Sequence, residues 1–246
     1  MNIIRDIEIA RRTILRRSPF EIYEAPPHVM QKIRDVFGEG LSPDEAVERI
    51  INDVWERGDS AIFDYTRMID GVELSSIKVG REEVVSAVSG VDGALISALN
   101  IARERIRSFH LNCMRNSWVR EGVGQLFRPL ERVGIYVPGG RASYPSTVLM
   151  MAIPARVAGV EEVIITTPPG KNGEVSAPTL VAADIAKVDR IFRVGGAQAI
   201  AALAFGTDSI PKVDKIFGPG GLFVTLAKKR VYGSVGIDGL QGPTET

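Results

Sequence analysis

The sequence predicts an α/β fold in which a parallel sheet, flanked by helices, follows a helical N-terminal region. The main observation is a unit of β-branched strand, Gly/Pro turn and helix that occurs four times after residue 130. A second observation is that its strands are continuously apolar, as in strands covered on both faces, and do not alternate with polar residues. The four strand–turn segments are Val133–Gly140, Glu162–Pro169, Arg190–Gly196 and Lys215–Gly221.

The N-terminal region reads as a series of helices. A short charged helix is predicted over residues 3–17, and the Pro-containing stretch 18–28 breaks it. Ser42, Pro43 and Glu45 form a strong helix start, because Ser can cap the helix, Pro suits the first position and Glu closes a capping box. That helix ends at Gly58. Further helices are predicted over 59–68, 81–89 and 92–112 from the spacing of apolar residues.

The second half contains the sheet. Residues 117–130 lose helical periodicity, which predicts either a hairpin or an extended linker. Helices are then expected over 145–158, 176–187, 197–205 and 221–232, and a last strand-like piece over 233–240. A domain boundary is predicted near residue 131, with an N-terminal helical part over 1–130 and an α/β domain over 131–241.

Composition excludes several classes of protein. Apolar residues make up 45% and charged residues 24% of the 246 residues, as in ordinary globular domains. Lys plus Arg and Asp plus Glu both number 30, so no nucleic-acid partner and no anionic membrane partner is expected. No apolar run approaches the roughly 20 residues of a membrane span, and the charged N-terminus lacks a signal-peptide core. A cytoplasmic location is expected.

The residues that most often bind metals are scarce. A single cysteine, Cys113, excludes an internal disulfide and reads as a small, partly buried apolar residue. The two histidines, His28 and His110, have no partner at metal-ligand spacing, so no metal site is predicted from this chain. No pair of a nucleophile and a base is evident, and no catalytic residue is assigned.

The glycine-rich turns are the candidates for ligand binding. Such a turn between a strand and a helix lets backbone N–H groups approach a phosphate. None of the turns is a dinucleotide fingerprint or a Walker A loop. Gln198, just beyond two glycines, either caps its own helix or bonds a ligand, and Tyr136, inside a strand, would usually be a packing residue. The basic run Lys228–Arg230 suits the negative end of a helix better than a phosphate site.

Taken together, the turns carry a specific resemblance. The chain resembles the histidinol dehydrogenase family over essentially its whole length, with weaker matches upstream at Gly58-Asp59, Tyr65-Thr66, Asp70-Gly71 and Phe109-His110. The terminal Gly242-Pro-Thr-Glu245 is similar to the family's Gly-Pro-Ser-Glu. The remaining matching segments are Gly134–Gly140, Pro145–Met150, Ala152–Gly159, Arg193–Gly206, Ile210–Lys215, Gly218–Gly220 and Gly236–Asp238.

The resemblance implies an activity and a set of site residues. The family oxidises L-histidinol to L-histidine through the aldehyde in two NAD-dependent steps of histidine biosynthesis. Its members are homodimers with one zinc ion per active site. NAD lies on an incomplete Rossmann-like domain, which residues 131–241 would form, while 1–130 would be the helical part of another α/β domain. By resemblance Tyr136, Gln198 and Gly221 occupy cofactor-contacting positions, and Thr244 a substrate-contacting one.

Two substitutions and one absent segment limit how far the family's site residues can be assigned to this chain. Gly221 replaces an asparagine that the family uses at the cofactor, and Thr244 replaces a serine. Residues 242–246 would begin the return to the first domain, and the family's zinc ligands and its glutamate–histidine pair would lie beyond them. Neither histidine of this chain takes over one of those positions.

These limits leave several interpretations open. The chain is expected to be half of a split enzyme completed by a second polypeptide, a truncated chain or a degenerate copy. The main alternative is a non-catalytic nucleotide-binding or interaction module, and another is a relative that oxidises a different small alcohol. If the chain lacks its other half, helices within 43–112 should expose apolar surface.

Overall fold

The described secondary structure contains one helix that the sequence does not predict and otherwise follows the predicted order. A computed structural model describes residues 5–12, 25–139 and 142–240. The helices are α1 (Ile7–Arg12), α2 (Pro27–Phe37), α3 (Pro43–Arg57), α4 (Asp59–Tyr65), α5 (Arg81–Gly90), α6 (Gly93–Asn112), α7 (Pro145–Val157), α8 (Ala177–Ile185), α9 (Gly196–Phe205) and α10 (Leu222–Val231). The strands are β1 (Trp118–Arg120), β2 (Val123–Gln125), β3 (Arg132–Tyr136), β4 (Glu162–Thr166), β5 (Arg190–Phe192), β6 (Lys215–Phe217) and β7 (Gly236–Ile237).

The described residues form two compact units, one within residues 1–42 and one within 43–246. The first unit contains α1 and α2. The sequence predicts no helix over 27–37, and its Pro-containing stretch 18–28 reads as a helix break. Pro27 instead occupies the first turn, where the missing N–H costs nothing, and Gly38 ends the helix in the left-handed conformation.

The main sheet is entirely parallel, as predicted. Its strand order is β5-β4-β3-β6-β7. In the register of the sheet, Val133 of β3 lies opposite Val163 of β4 on one side and opposite Lys215 of β6 on the other. Strands β4 and β5 are therefore added on one side of β3. The chain then crosses over, and β6 and β7 are added on the other side.

Helices cover both faces of this sheet. Helices α7 and α8 pack against each other and against α5 and α6. Helices α9 and α10 pack against each other and against α3. Because connections between parallel strands are right-handed, the two pairs lie on opposite faces. A Cβ placed on Gly134 of β3 would lie 2.8 Å from a methyl carbon of Leu203, so α9 crosses β3 in direct contact. The helices of 43–112 thus belong to the same unit as the sheet, and the predicted domain boundary near residue 131 stays a prediction.

Two local features refine the sequence interpretation. Residues 117–130 contain an antiparallel hairpin, β1–β2, which was one of the two predicted forms. After α4 the helix continues as a π-helical turn, Thr66–Asp70, which ends at Gly71 in the left-handed conformation. π-helical turns are rare and frequently lie at functional sites.

Several large apolar side chains in the described part of 43–112 are exposed. Trp55 and Phe109 each leave 66% of their surface in solvent, and Ile101 leaves 56%. The Trp55 ring packs edge-to-face on Phe205, with the ring centroids 4.9 Å apart. Among the described helices none is by itself long and apolar enough to cross a membrane. Helices α5 and α6 reach the length and apolar composition of a membrane span only when they are taken together, and the chain bends by 110° between them.

Candidate functional site

The candidate site lies where β3 and β6 end side by side. These strands are neighbours in the sheet, and the helices that follow them pack on opposite faces. Such a switch in connection direction leaves a crevice at the carboxyl ends of the two strands, where ligands of open parallel sheets bind. Tyr136 ends β3 and Phe217 ends β6, so the turn that follows β6 begins beside the end of β3.

The turn after β6 lies directly against the backbone of β3. Gly218 has a φ of 114°, and a Cβ built on it would be 2.1 Å from the carbonyl oxygen of Tyr136. No side chain fits in that space, so glycine is required by both conformation and contact. The close approach brings the Gly218–Gly221 turn and the end of β3 into one surface.

Tyr136 connects β3 to the start of α9. Its side chain is buried, with 6% of its surface exposed, and its hydroxyl oxygen accepts a hydrogen bond from the N–H of Gly196 at 3.2 Å. Burial raises the pKa of Tyr136, and the charge of Asp70 contributes to the same shift. The tyrosine is therefore a neutral hydroxyl that holds the Gly195–Gly196 turn to the sheet edge.

Gln198 is the strongest candidate for a ligand contact. It is fully buried in the first turn of α9, and neither its Oε1 nor its Nε2 has a hydrogen-bond partner among the described residues. It does not cap its helix, which was the alternative that the sequence left open. Its Oε1 would be 2.6 Å from a Cβ on Gly196, so the amide lies over the glycine turn. Leaving a buried amide without a partner costs about 1–3 kcal/mol, which a bound ligand would recover.

Two further polar groups lie on the π-helical turn. Thr66 is fully buried, and its Oγ1 has no partner within the described ranges. Asp70 Oδ2 is likewise without one, and burial raises the pKa of Asp70 to about 6. In the sequence, Thr66 and Asp70 stand out only as weak family matches. Their four-residue spacing is not a motif that would predict a π-helical turn or a binding site.

The other predicted site residues have different outcomes. Gly221 occupies the N-cap position of α10 with an ordinary φ of −74°, and no described atom lies within 4 Å of a Cβ built on it. Thr244, like Gly140, lies outside the described residues. Lys228 does not simply face the helix end, as the basic run suggested. It is buried and pairs with Asp238 at 2.7 Å.

A separate cleft opens at the carboxyl end of β4. Its volume is about 830 Å³, and it is bordered by Gly139, Thr167 and the start of α8 at Ala177. Glu82 and Glu174 also line it. These carboxylates would repel an anion, which makes the cleft a poor site for a phosphate.

Metal ligands do not come together in the part of the chain that the structure describes. No group of three or more His, Cys, Asp or Glu side chains there could hold a metal ion. His28 lies in the first turn of α2 and His110 in the last turn of α6. Cys113 is exposed, which differs from the partly buried position expected for it.

Comparison with known proteins gives a consistent family. The family model described as histidinol dehydrogenase matches residues 40–246. The histidinol dehydrogenase of Dehalococcoides mccartyi strain CBDB1 is 52% identical over 249 aligned positions, covering 100% of this chain and 56% of the relative. That of Clostridium acetobutylicum is 54% identical over 206 positions, covering 82% of this chain and 48% of the relative.

A solved structure agrees with the sequence relatives. The crystal structure of histidinol dehydrogenase from Elizabethkingia anophelis matches 90% of this chain with a TM-score of 0.80 and 34% identity, and the match covers 53% of that protein. The chain thus spans about half the length of the curated relatives it matches.

Proposed function

The chain belongs to the histidinol dehydrogenase family, and we propose that it provides the nucleotide-binding part of an NAD-dependent alcohol dehydrogenase. The proposed reaction is the oxidation of L-histidinol to L-histidine through the aldehyde, in histidine biosynthesis. The single observation that carries the cofactor assignment is the buried amide of Gln198, which has no partner within the described chain and lies over the Gly195–Gly196 turn.

The residues at the crevice fit a dinucleotide. Gln198 offers one acceptor and two donors, which match a ligand that itself carries an amide or hydroxyl groups. Backbone N–H groups at the start of α10, where Gly221 leaves open space, suit a phosphate group. NAD bound there would supply the chemistry of hydride acceptance. The chain's own contribution is to bind, orient and shield the cofactor, which it does through Tyr136, Gln198 and the turns.

Proton transfer and substrate binding are assigned mostly outside the described residues. We assign no catalytic residue to this chain, because none of its positions matches the glutamate–histidine pair that the resemblance implies. Thr244 is proposed to contact the substrate through its hydroxyl. The described residues do not fit a zinc ion, so no step here is derived through one, and any zinc ligands are proposed to come from the remainder of the enzyme.

The partners follow from the same proposal. The proposed small-molecule substrate is L-histidinol. No nucleic-acid or membrane partner is proposed, and the proposed location is the cytoplasm. The assembly is either a homodimer or a complex with a complementing C-terminal chain. The exposed Trp55, Ile101 and Phe109 are consistent with surface that such a partner would cover.

The test has a binding arm and an activity arm. Calorimetry measures NAD binding to the chain and to Gln198→Met, which keeps the length of the side chain and removes its hydrogen bonds. Asn100→Met is the control, since Asn100 is a half-buried amide whose Nδ2 donates to the carbonyl oxygen of Ile96 within α6. We expect Gln198→Met alone to lose NAD. Equal binding by all three chains would contradict the assignment of the site.

The activity arm separates the dehydrogenase from the alternative function. NAD-dependent oxidation of L-histidinol is assayed with zinc, for the chain alone and with a polypeptide that supplies the rest of a relative. Activity only in the mixture supports the proposal. NAD binding with no activity in either would favour a non-catalytic nucleotide-binding module, the interpretation that Gly221 supports. Activity of the chain alone would refute the assignment of catalysis to other residues.

A further inference from the structure

A buried ion pair lies behind the glycine turn that follows β6. Lys228, on α10, donates from its Nζ to Asp238 Oδ1 at 2.7 Å and also to the carbonyl oxygen of Gly218. Asp238 Oδ2 accepts from the N–H of Gly218 at 2.8 Å. The two charged side chains therefore hold both peptide groups of the same glycine.

This pair is costly to bury and is not needed to fill space. Only 3% of the Lys228 side chain and 18% of the Asp238 side chain are exposed. Desolvating two charges roughly cancels their attraction, so apolar residues of similar volume would stabilise the fold as well or better. What apolar residues would not supply is the donor and the acceptor that face Gly218. The pair is thus better explained by the backbone position it imposes than by stability.

The position it imposes is that of the crevice wall. Gly218 is fixed on one side by Lys228 and Asp238 and on the other by the backbone of Tyr136, in the space that excludes any Cβ. Three residues later Gly221 begins α10. A shift of Gly218 would therefore move the backbone N–H groups at the start of α10 relative to Tyr136.

We infer that the Lys228–Asp238 pair is a positioning device that sets the Gly218–Gly221 turn for the cofactor. This inference rests on the proposed function, because it assumes that NAD contacts this turn. The inference requires no contact between either side chain and the cofactor. Both act through the peptide groups of Gly218, and no described residue other than these two side chains supplies those groups with a charged partner.

The experiment uses the whole chain and two readouts. Hydrogen exchange of peptides covering 215–222 reports the turn without any ligand, and calorimetry reports the Kd for NAD. The variants are Lys228→Met, Asp238→Ala and Asp238→Asn, of which the last keeps one acceptor for the Gly218 N–H. The control is Arg230→Met, two residues along the same helix, which removes a cation paired with Asp44 and Glu48 instead.

We expect faster exchange confined to 215–222, and NAD binding weakened by about tenfold or more, in Lys228→Met and Asp238→Ala. Asp238→Asn should be intermediate, and Arg230→Met should match the unaltered chain in both readouts. A general loss of stability would raise exchange throughout the unit and would not follow this order. Should Lys228→Met fail to fold, the two Asp238 variants still decide the question.

Three results would overturn the inference. Unchanged exchange over 215–222 would show that the pair does not hold the turn. Faster exchange with an unchanged Kd would show that the held position does not matter to the cofactor. If the unaltered chain does not bind NAD, the proposed function fails and the cofactor part of the inference fails with it, while exchange still decides whether the pair holds the turn.

Discussion

Gly218 and Tyr136 approach so closely that a Cβ on the glycine would lie 2.1 Å from the carbonyl oxygen of the tyrosine. This contact joins the ends of two strands that are far apart in sequence, β3 and β6, at the crevice of the sheet. Both the proposed cofactor site and the ion pair behind it depend on this contact.

Gly218→Ala should therefore be strongly destabilising. The new methyl group meets backbone, which cannot rotate away, and the φ of 114° is unfavourable for any residue with a Cβ. We expect a loss of at least about 2 kcal/mol in the free energy of unfolding, measured with urea. Gly221→Ala is the control, because it has open space and an ordinary φ. Equal midpoints for the two variants would contradict the geometry.

Gly221→Asn should strengthen NAD binding. The position has room for a side chain, and the related enzymes carry an asparagine there according to the resemblance. One regained hydrogen bond contributes about 0.5–1.5 kcal/mol, so we expect a Kd about two to ten times lower by calorimetry. Gly221→Ala distinguishes the amide from a mere loss of backbone freedom. A Kd that falls equally in both variants would argue against a contact made by the side chain.

Gln198→Met should stabilise the ligand-free chain while it abolishes NAD binding. The native amide is fully buried without a partner in the described residues, and methionine removes that penalty at nearly constant volume. We expect a gain of about 1–2 kcal/mol in urea unfolding without ligand. A stability that decreases would mean that the amide is already bonded within the protein.

Asp70 should make stability fall as the pH rises. Burial raises its pKa to about 6 in the folded chain, whereas the unfolded carboxyl titrates near 4. Below about pH 4 the group is neutral in both states and costs nothing. Between pH 4 and 6 the unfolded state ionises first, so folding loses up to about 3 kcal/mol from this group.

Asp70→Asn should remove that loss. Its free energy of unfolding relative to the unaltered chain is expected to be higher at pH 7 than at pH 4, measured with urea at both values. Asp208→Asn, at an exposed aspartate, changes the net charge in the same way and serves as the control. A pH-independent difference for Asp70→Asn would contradict the burial of its carboxyl group.

The exposed apolar side chains of α3 and α6 should bind a hydrophobic dye. Trp55, Ile101 and Phe109 each expose more than half of their surface. We expect the dye fluorescence to fall when a polypeptide supplying the rest of a relative is added. A compact monomer that binds no dye would refute this prediction.

The local pattern of the sequence was enough for the fold class and for most elements. Runs of Ile and Val between glycine turns identified the parallel strands, because burial on both faces leaves no polar alternation. Ser42, Pro43 and Glu45 located the start of α3 for the same local reason. The turns that line the crevice were also identified, because glycines at the ends of parallel strands gather at one edge of the sheet. Helix α2 was not predicted, because Pro27 begins the helix within a stretch that was expected to break one.

Tertiary structure alone decided how these pieces act together. The sequence left Gln198 either as a helix cap or as a ligand contact, and only the structure shows that it makes no cap hydrogen bond and is buried without a partner in the described chain. The sequence predicted that Lys228 is a cation at the end of its helix. The structure shows that it pairs with Asp238, ten residues away. Strand order and side-chain burial depend on contacts between distant segments, whereas periodicity reports only the immediate surroundings of each residue. The chain's sequence therefore determined its family and its sheet, and its packing determined which polar groups are left for a ligand.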